Sequence, residues 1–255
     1  MPLGSQTSTT GPRPLFVREG PDAVTVLFDR PERRNALSVD MSLALDQVLD
    51  RYATTPLPLV LRSATPGMFV AGTDIASLKA RTVEDSLGRV NSALFQRLHD
   101  HPWPTVAVVE GAALGGGCEL ALACDFRISS EEAQWGLPEV RLGIIPSAGA
   151  LTRLAELVGS GAATDLVLTG RRVRGAEAHA MGLTSRTLPA ESLDAALDEL
   201  LGELAKAAPL AQRLAKEAMR VDGDRNRLVD AAAQALCIAT EDAQQRLQAV
   251  LDHTG

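Results

Sequence analysis

Thr105-Val106-Ala107-Val108-Val109, then Gly115-Gly116-Gly117-Cys118-Glu119-Leu120, then Phe126-Arg127-Ile128 read in turn as strand, glycine turn, helix and strand. That is the βαβ order of a protein built from layered sheets and helices. Three consecutive glycines expose backbone N–H groups that no Cβ shields, at the opening of a helix through Glu119, Leu120, Ala121, Leu122 and Ala123. The arrangement suits a developing negative charge. Farther on, Gly136-Leu137-Pro138-Glu139 supplies a second glutamate. Glu119 and Glu139 each sit in an apolar setting, where a carboxyl group is partly desolvated and its pKa is pushed upward. These are the parts for proton transfer beside a stabilised oxyanion.

Working outward, Val24, Val26 and Phe28 alternate in a strand-like run, with Pro14 to Arg18 as its hairpin partner. From Ser38, which stands at an N-cap position, Val39, Met41, Leu43, Leu45, Val48 and Leu49 fall at helical spacing until Pro56 and Pro58. Leu59-Val60-Leu61 reads as a short buried strand. Met68-Phe69-Val70-Ala71-Gly72 reads as another, breaking into a loop at Thr73-Asp74-Ile75. Val83 to His99 is expected to be helical, ending at His101-Pro102-Trp103-Pro104. Ser147 to Leu157 and Arg174 to Met181 also read as helices, the latter stopped by Gly182. From Ala190 onward almost everything is helical, with breaks near Pro209 and Asp222-Gly223-Asp224. The expected organisation is a flexible arm over 1–13, an α/β core over 14–188 and a helical region over 189–255.

The 255 residues are 45% hydrophobic and 22% charged, ample for one large core. No apolar run reaches the roughly 20 residues of a membrane helix. A net charge of −7 with only 3% aromatic residues argues against a nucleic-acid surface. Cys118, Cys124 and Cys237 lack metal-site spacing and read as buried thiols in a reducing cytoplasm. His99, His101, His179 and His253 have no metal-like or triad-like setting, so no metal is expected.

The glycine loop admits two readings. A phosphate cradle shows Lys and then Ser or Thr after its glycines, or spaced glycines with a ribose-binding acid beyond; here Cys118-Glu119 follows directly. An oxyanion hole asks only for backbone donors aimed at one point, and a second donor could come from Thr73, after Val70-Ala71-Gly72. Arg30, Arg33 and Arg34 could hold phosphates or line a solvated loop. Asp74 could cap the helix that follows it or take part in chemistry. Either glutamate alone could be an ordinary surface carboxylate.

Four blocks in order resemble the crotonase superfamily, the enoyl-CoA hydratase and isomerase family. They are Arg30-Pro31-Glu32-Arg33-Arg34-Asn35-Ala36-Leu37, Phe69-Val70-Ala71-Gly72-Thr73-Asp74-Ile75, Ala113-Leu114-Gly115-Gly116-Gly117-Cys118-Glu119-Leu120-Ala121, and Trp135 through Pro146. Leu168-Thr169-Gly170 and Ala239-Thr240-Glu241-Asp242 extend the match nearly to the C-terminus.

The resemblance implies an α/β crotonase-like spiral of ββα units with a C-terminal helical region, assembled as a homotrimer or a dimer of trimers. It implies an acyl-CoA thioester substrate, no cofactor beyond the coenzyme A that the substrate carries, and a carbonyl polarised by the N–H groups of Thr73 and Gly116. Glu119 and Glu139 correspond to the two glutamates that hydrate 2-enoyl-CoA around one water: Glu139 as the proton donor to the α-carbon, Glu119 as the base. Ala71, Thr73, Asp74, Ile75 and Ala76 are expected to line the CoA channel, with Arg33, Arg34 and Ala36 near its nucleotide end. No nucleic acid or membrane partner is expected. Three departures bear on specificity: Thr73 where alanine is common, Ser147-Ala148-Gly149-Ala150 in place of a glycine-rich turn, and a tail lacking the basic and aromatic ending of many relatives. The alternatives are double-bond isomerisation, which needs one carboxyl and no water, and acyl-CoA binding without catalysis.

Overall fold

The computed structural model describes residues 14–80, 82, 84, 90–220, 232 and 234–245. The expected arm at 1–13, the early turns of the Val83–His99 helix, the break at Asp222-Gly223-Asp224, His253 and the chain end lie outside the described residues.

A hairpin opens the fold: β1 (Leu15–Glu19) pairs antiparallel with β2 (Val24–Phe28), whose Val24, Val26 and Phe28 are buried as the alternation predicts. Helix α1 (Val39–Tyr52) follows, and Ser38 Oγ accepts the Met41 N–H at 3.3 Å, closing one of the orphan donors of the first turn. Next come β3 (Leu59–Ser63), α2 (Ile75–Ala80), α3 (Val90–His99) and β4 (Thr105–Val109). β4 is flanked by parallel neighbours and buried along its whole length. Its Ala107 and Val109 face the main core with Phe28, Phe95 and Trp135, while Val106 and Val108 join a second cluster. A strand covered on both faces reads as an unbroken apolar run, as Thr105–Val109 does.

The chain then alternates between two sheets. β5 (Ala112–Leu114), three residues after β4, belongs to a small sheet and leads into α4 (Gly116–Leu122). β6 (Phe126–Ser130) returns to the large sheet, β7 (Gln134–Gly136) to the small one, and the long α5 (Ala150–Thr169), kinked at Gly159, follows. β8 (Arg172–Arg174) then adds an antiparallel strand to the small sheet, and after α6 (Gly175–Ala180) the strand β9 (Arg186–Leu188) returns to the edge of the large one. The large sheet runs β1-β2-β3-β4-β6-β9 and the small one β5-β7-β8. One strand in each sheet and then a helix is the ββα repeat. Helices α7 (Leu193–Ala205) and α8 (Pro209–Ala218) form the helical region, with residues 234–238 and 241–245 also helical. Leu193, Ala196, Leu197 and Leu200 of α7 cover Val60, Val106, Val108 and Ile128 on the outer face of the large sheet. No helix among the described residues is long and apolar enough to cross a membrane.

Candidate active site

The small sheet brings the two glutamates together. Its register sets Leu114 of β5 opposite Gly136 of β7, and the Gly115 N–H donates to the Gly136 carbonyl at 2.9 Å. The turn after each strand therefore lies beside the other. Glu119 rises from the first turn of α4, and Glu139 from the short 3₁₀ turn Pro138–Leu142. They are only 5% and 8% exposed. Gly115 holds φ at +51°, and a Cβ there would come within 3.0 Å of Glu139 Oε1, so the carboxyl rests directly on this glycine.

Their surroundings differ. Glu119 Oε1 accepts the Ala148 N–H at 2.7 Å and the Ala150 N–H at 3.4 Å, a pair of donors suited to a carboxylate. Glu139 Oε2 is buried with no hydrogen-bond partner among the described residues. Burial pushes the Glu139 carboxyl up to about 7, the Glu119 charge adds to that, and a hydrogen bond from its own backbone opposes it.

The segment expected to be a strand at Met68–Gly72 is instead a loop whose backbone is committed to its neighbour at 34–37. Asn35 Nδ2 donates to the Phe69 carbonyl at 2.8 Å, the Ala71 N–H to Arg34 at 3.1 Å, and the Leu37 N–H to Gly72 at 2.8 Å. The Asp74 N–H donates to Leu37 at 3.0 Å, leaving an isolated bridge between Leu37 and Thr73. Within this lattice the Thr73 N–H has no partner among the described residues, nor has the Gly116 N–H at the start of α4. The two are close: a Cβ on Gly116 would lie 3.7 Å from Thr73 N and 2.6 Å from Thr73 Oγ1.

At Gly117 the approach is closer still, since an added Cβ would fall 1.8 Å from the Val70 carbonyl oxygen. Gly117→Ala is expected to force the 69–75 loop off α4 at a cost of about 1–3 kcal/mol. Thermal unfolding checks this: a melting temperature lowered by about 5 °C is expected, and an unchanged one contradicts the packing.

An open cavity of about 310 Å³ lies over this loop, lined by Arg33, Arg34, Ala36, Ala71, Thr73, Asp74 and Ile75. All seven are among the residues expected for substrate. Ala76 continues into α2, whereas Gly116, Glu119 and Glu139 lie outside the lining, with Thr73 as the link. Arg30 is not among the lining residues, and its guanidinium donates to the Ala36 carbonyl at 2.9 Å. Asp74 accepts the Ser77 N–H at 3.2 Å, as the capping reading has it.

Sequence reasoning missed two supports. Asn35, fully buried, ties the 34–37 loop to Ser63 and Phe69, and its Oδ1 takes the Arg30 N–H. The turn Ser147-Ala148-Gly149-Ala150, read as a matter of specificity, grips Glu119.

The profile of the enoyl-CoA hydratase/isomerase family matches residues 20–249. The chain belongs to this family. It is 35% identical over 246 residues to a short-chain-enoyl-CoA hydratase of Clostridium acetobutylicum, spanning 93% of this chain and 94% of that one. A crotonyl-CoA hydratase of Syntrophomonas wolfei is 34% identical over 93% of this chain and 95% of its own length. Among solved structures, an enoyl-CoA hydratase from Bacillus anthracis superposes with a TM-score of 0.89 at 32% identity, covering 94% of this chain and 96% of that one. The α/β spiral with its helical C-terminal region is the architecture that the resemblance implied.

Among the described residues of this enoyl-CoA hydratase/isomerase fold, Cys118, Cys124 and His101 are buried. Burial pushes both thiols up, Cys124 to about 12. Cys237 departs from the expectation in being only half-buried. Burial holds His99 and His101 down at about 4, so both rings are neutral at pH 7. No group of three or more His, Cys, Asp or Glu suited to a metal occurs among the described residues.

Proposed function

We propose that this protein hydrates 2-enoyl-CoA thioesters to 3-hydroxyacyl-CoA, reversibly. The observation that carries the reading is the unequal pair of buried carboxyls: Glu119 held by two N–H donors, and Glu139 unpaired at Oε2 with its pKa raised to about 7. The N–H groups of Thr73 and Gly116 donate to the thioester carbonyl oxygen and so draw electron density from the β-carbon. Ionised Glu119 takes a proton from a water whose oxygen bonds to that carbon, and protonated Glu139 delivers a proton to the α-carbon. Water is thereby added across the double bond, and the two carboxyls exchange their proton before the next turnover. Arg33, Arg34, Ala36, Ala71, Asp74, Ile75 and Ala76 hold the CoA moiety, which enters as part of the substrate, so the chemistry requires no other cofactor. The test is turnover of crotonyl-CoA, compared with a 3-enoyl-CoA that only an isomerase would convert.

The chain works in the cytoplasm as a homotrimer or a dimer of trimers. Support for self-association comes from Leu142, Ile144, Ile145 and Leu151, apolar side chains exposed within one short stretch. Light scattering that gives a monomer mass contradicts it.

Glu139 also sets a pH dependence. Its folded pKa of about 7 lies above the ordinary 4.5, so its share of stability is fully present below about 4.5 and lost as pH rises to about 7. The loss is about 3 kcal/mol. Glu139→Gln stays neutral throughout. Denaturant unfolding at pH 5 and pH 8 is expected to show a smaller fall for this variant than for the wild type; equal falls contradict the assignment. Turnover of the wild type declines over the same upper range, as Glu139 loses its proton.

A further inference from the structure

Arg153 of α5 is 8% exposed, and none of its nitrogens meets a carboxylate within 4.0 Å among the described residues. Its Nη1 donates to the Ala148 carbonyl at 3.0 Å and its Nη2 to Gln96 Oε1 at 2.9 Å. Ala148 is the residue whose N–H holds Glu119 Oε1 at 2.7 Å. One peptide unit away, Gly149 adopts φ of +100°, and a Cβ there would strike Arg153 Nη1 at 2.2 Å. The Ser147–Ala150 turn is thus wrapped around the guanidinium on one side and around the Glu119 carboxylate on the other.

We propose that Arg153 is a positioning residue for Glu119: its guanidinium holds the turn that grips the Glu119 carboxylate and supplies a buried positive charge to that side of the site. Burying a guanidinium is costly, and polar partners that are only a carbonyl and an amide do not neutralise it. The charges around it are Asp100, Glu119 and Glu156, which favour its ionised form, and Arg220, which opposes it together with burial, the largest effect. His99 feels the same guanidinium and stays neutral. On the Glu119 side the facing titratable group is Glu139, whose carboxyl burial keeps protonated up to about pH 7.

The inference rests on Glu119 acting as the base, and the test has a reading independent of turnover. Carboxyl ¹³C shifts of glutamate are followed against pH in the wild type, Arg153→Met and Arg153→Lys, with Glu119→Gln assigning the signal. The Glu119 midpoint is expected to rise by about one unit in Arg153→Met and to return toward the wild-type value in Arg153→Lys. Arg153→Gln, neutral but able to donate to Ala148, separates charge from hydrogen bond and serves where Arg153→Met does not fold. On crotonyl-CoA, kcat is expected to fall by about 10²-fold in Arg153→Met with KM little changed, and the acid limb of its pH profile to move upward. A folded neutral variant whose Glu119 midpoint stays put overturns the inference. Wild type inert on enoyl-CoA, with the midpoint still shifting, instead overturns the hydratase reading alone.

Discussion

Glu119→Gln and Glu139→Gln are each expected to lower kcat on crotonyl-CoA by about 10²–10⁴-fold, the usual contribution of a positioned acid or base. Glutamine keeps the shape of either side chain but can neither accept nor deliver the proton. At position 119 the replacement also puts an amide oxygen, a weaker acceptor than a carboxylate, against the two N–H groups. At position 139 it removes a carboxyl that burial keeps protonated up to about pH 7. KM is expected to stay within a few-fold, because the cavity proposed to take the CoA moiety is lined by other residues from 33–36 and 71–75. The double variant should be little worse than the poorer single one, since the two act on one water and one double bond. Steady-state kinetics decides: a variant retaining a tenth of wild-type kcat does not carry the role assigned to that glutamate.

Asp125→Ala is expected to give the largest loss of stability. This residue lies between α4 and β6, and its Oδ2 accepts the Thr105 N–H at 2.7 Å, the Thr105 hydroxyl at 2.9 Å and Lys216 Nζ at 2.5 Å. Its Oδ1 accepts Arg220 at 3.2 Å. Lys216, on α8, is 7% exposed and otherwise donates only to the Trp103 carbonyl among the described contacts. Removing the carboxylate leaves that ammonium buried without its counter-charge and unties α8 from the end of β4. Breaking such a pair costs about 3–5 kcal/mol. The melting temperature should fall by about 10 °C. Adding Lys216→Met should restore part of the loss, because the stranded charge goes with it. A melting temperature within a degree or two of wild type would show that the cluster contributes nothing net.

Much of this fold is legible because single residues announce it. Ser38 predicts its own helix start, and Thr105–Val109, apolar throughout, predicts a strand covered on both faces. β5, β7, β8 and β9 are three residues each, too short for any alternation to show, and exist only because longer neighbours pair with them. Met68–Gly72 has the composition of a strand, yet Asn35 and the 34–37 loop take its backbone groups, so a side-chain pattern gives the wrong answer. The same holds in the site. Apolar flanks mark Glu119 and Glu139 individually, but what sets them side by side is the Leu114–Gly136 register, a pairing that no local pattern encodes. The grip on Glu119 comes from the N–H groups of Ala148 and Ala150, backbone atoms that leave no signature in residue type. Arg153 looks like one more helix arginine until its carbonyl partner is known.

Two unequal carboxyls are proposed to add water to a 2-enoyl thioester. Incubation of the wild-type protein with crotonyl-CoA, followed by mass analysis of the thioester alongside loss of the enoyl-thioester absorbance, tests it most directly. A product heavier by one water is expected as the absorbance falls, with the reaction slowed by orders of magnitude in Glu119→Gln and Glu139→Gln. An unchanged thioester bound by the protein, or conversion of a 3-enoyl-CoA without gain of mass and none of crotonyl-CoA, contradicts it.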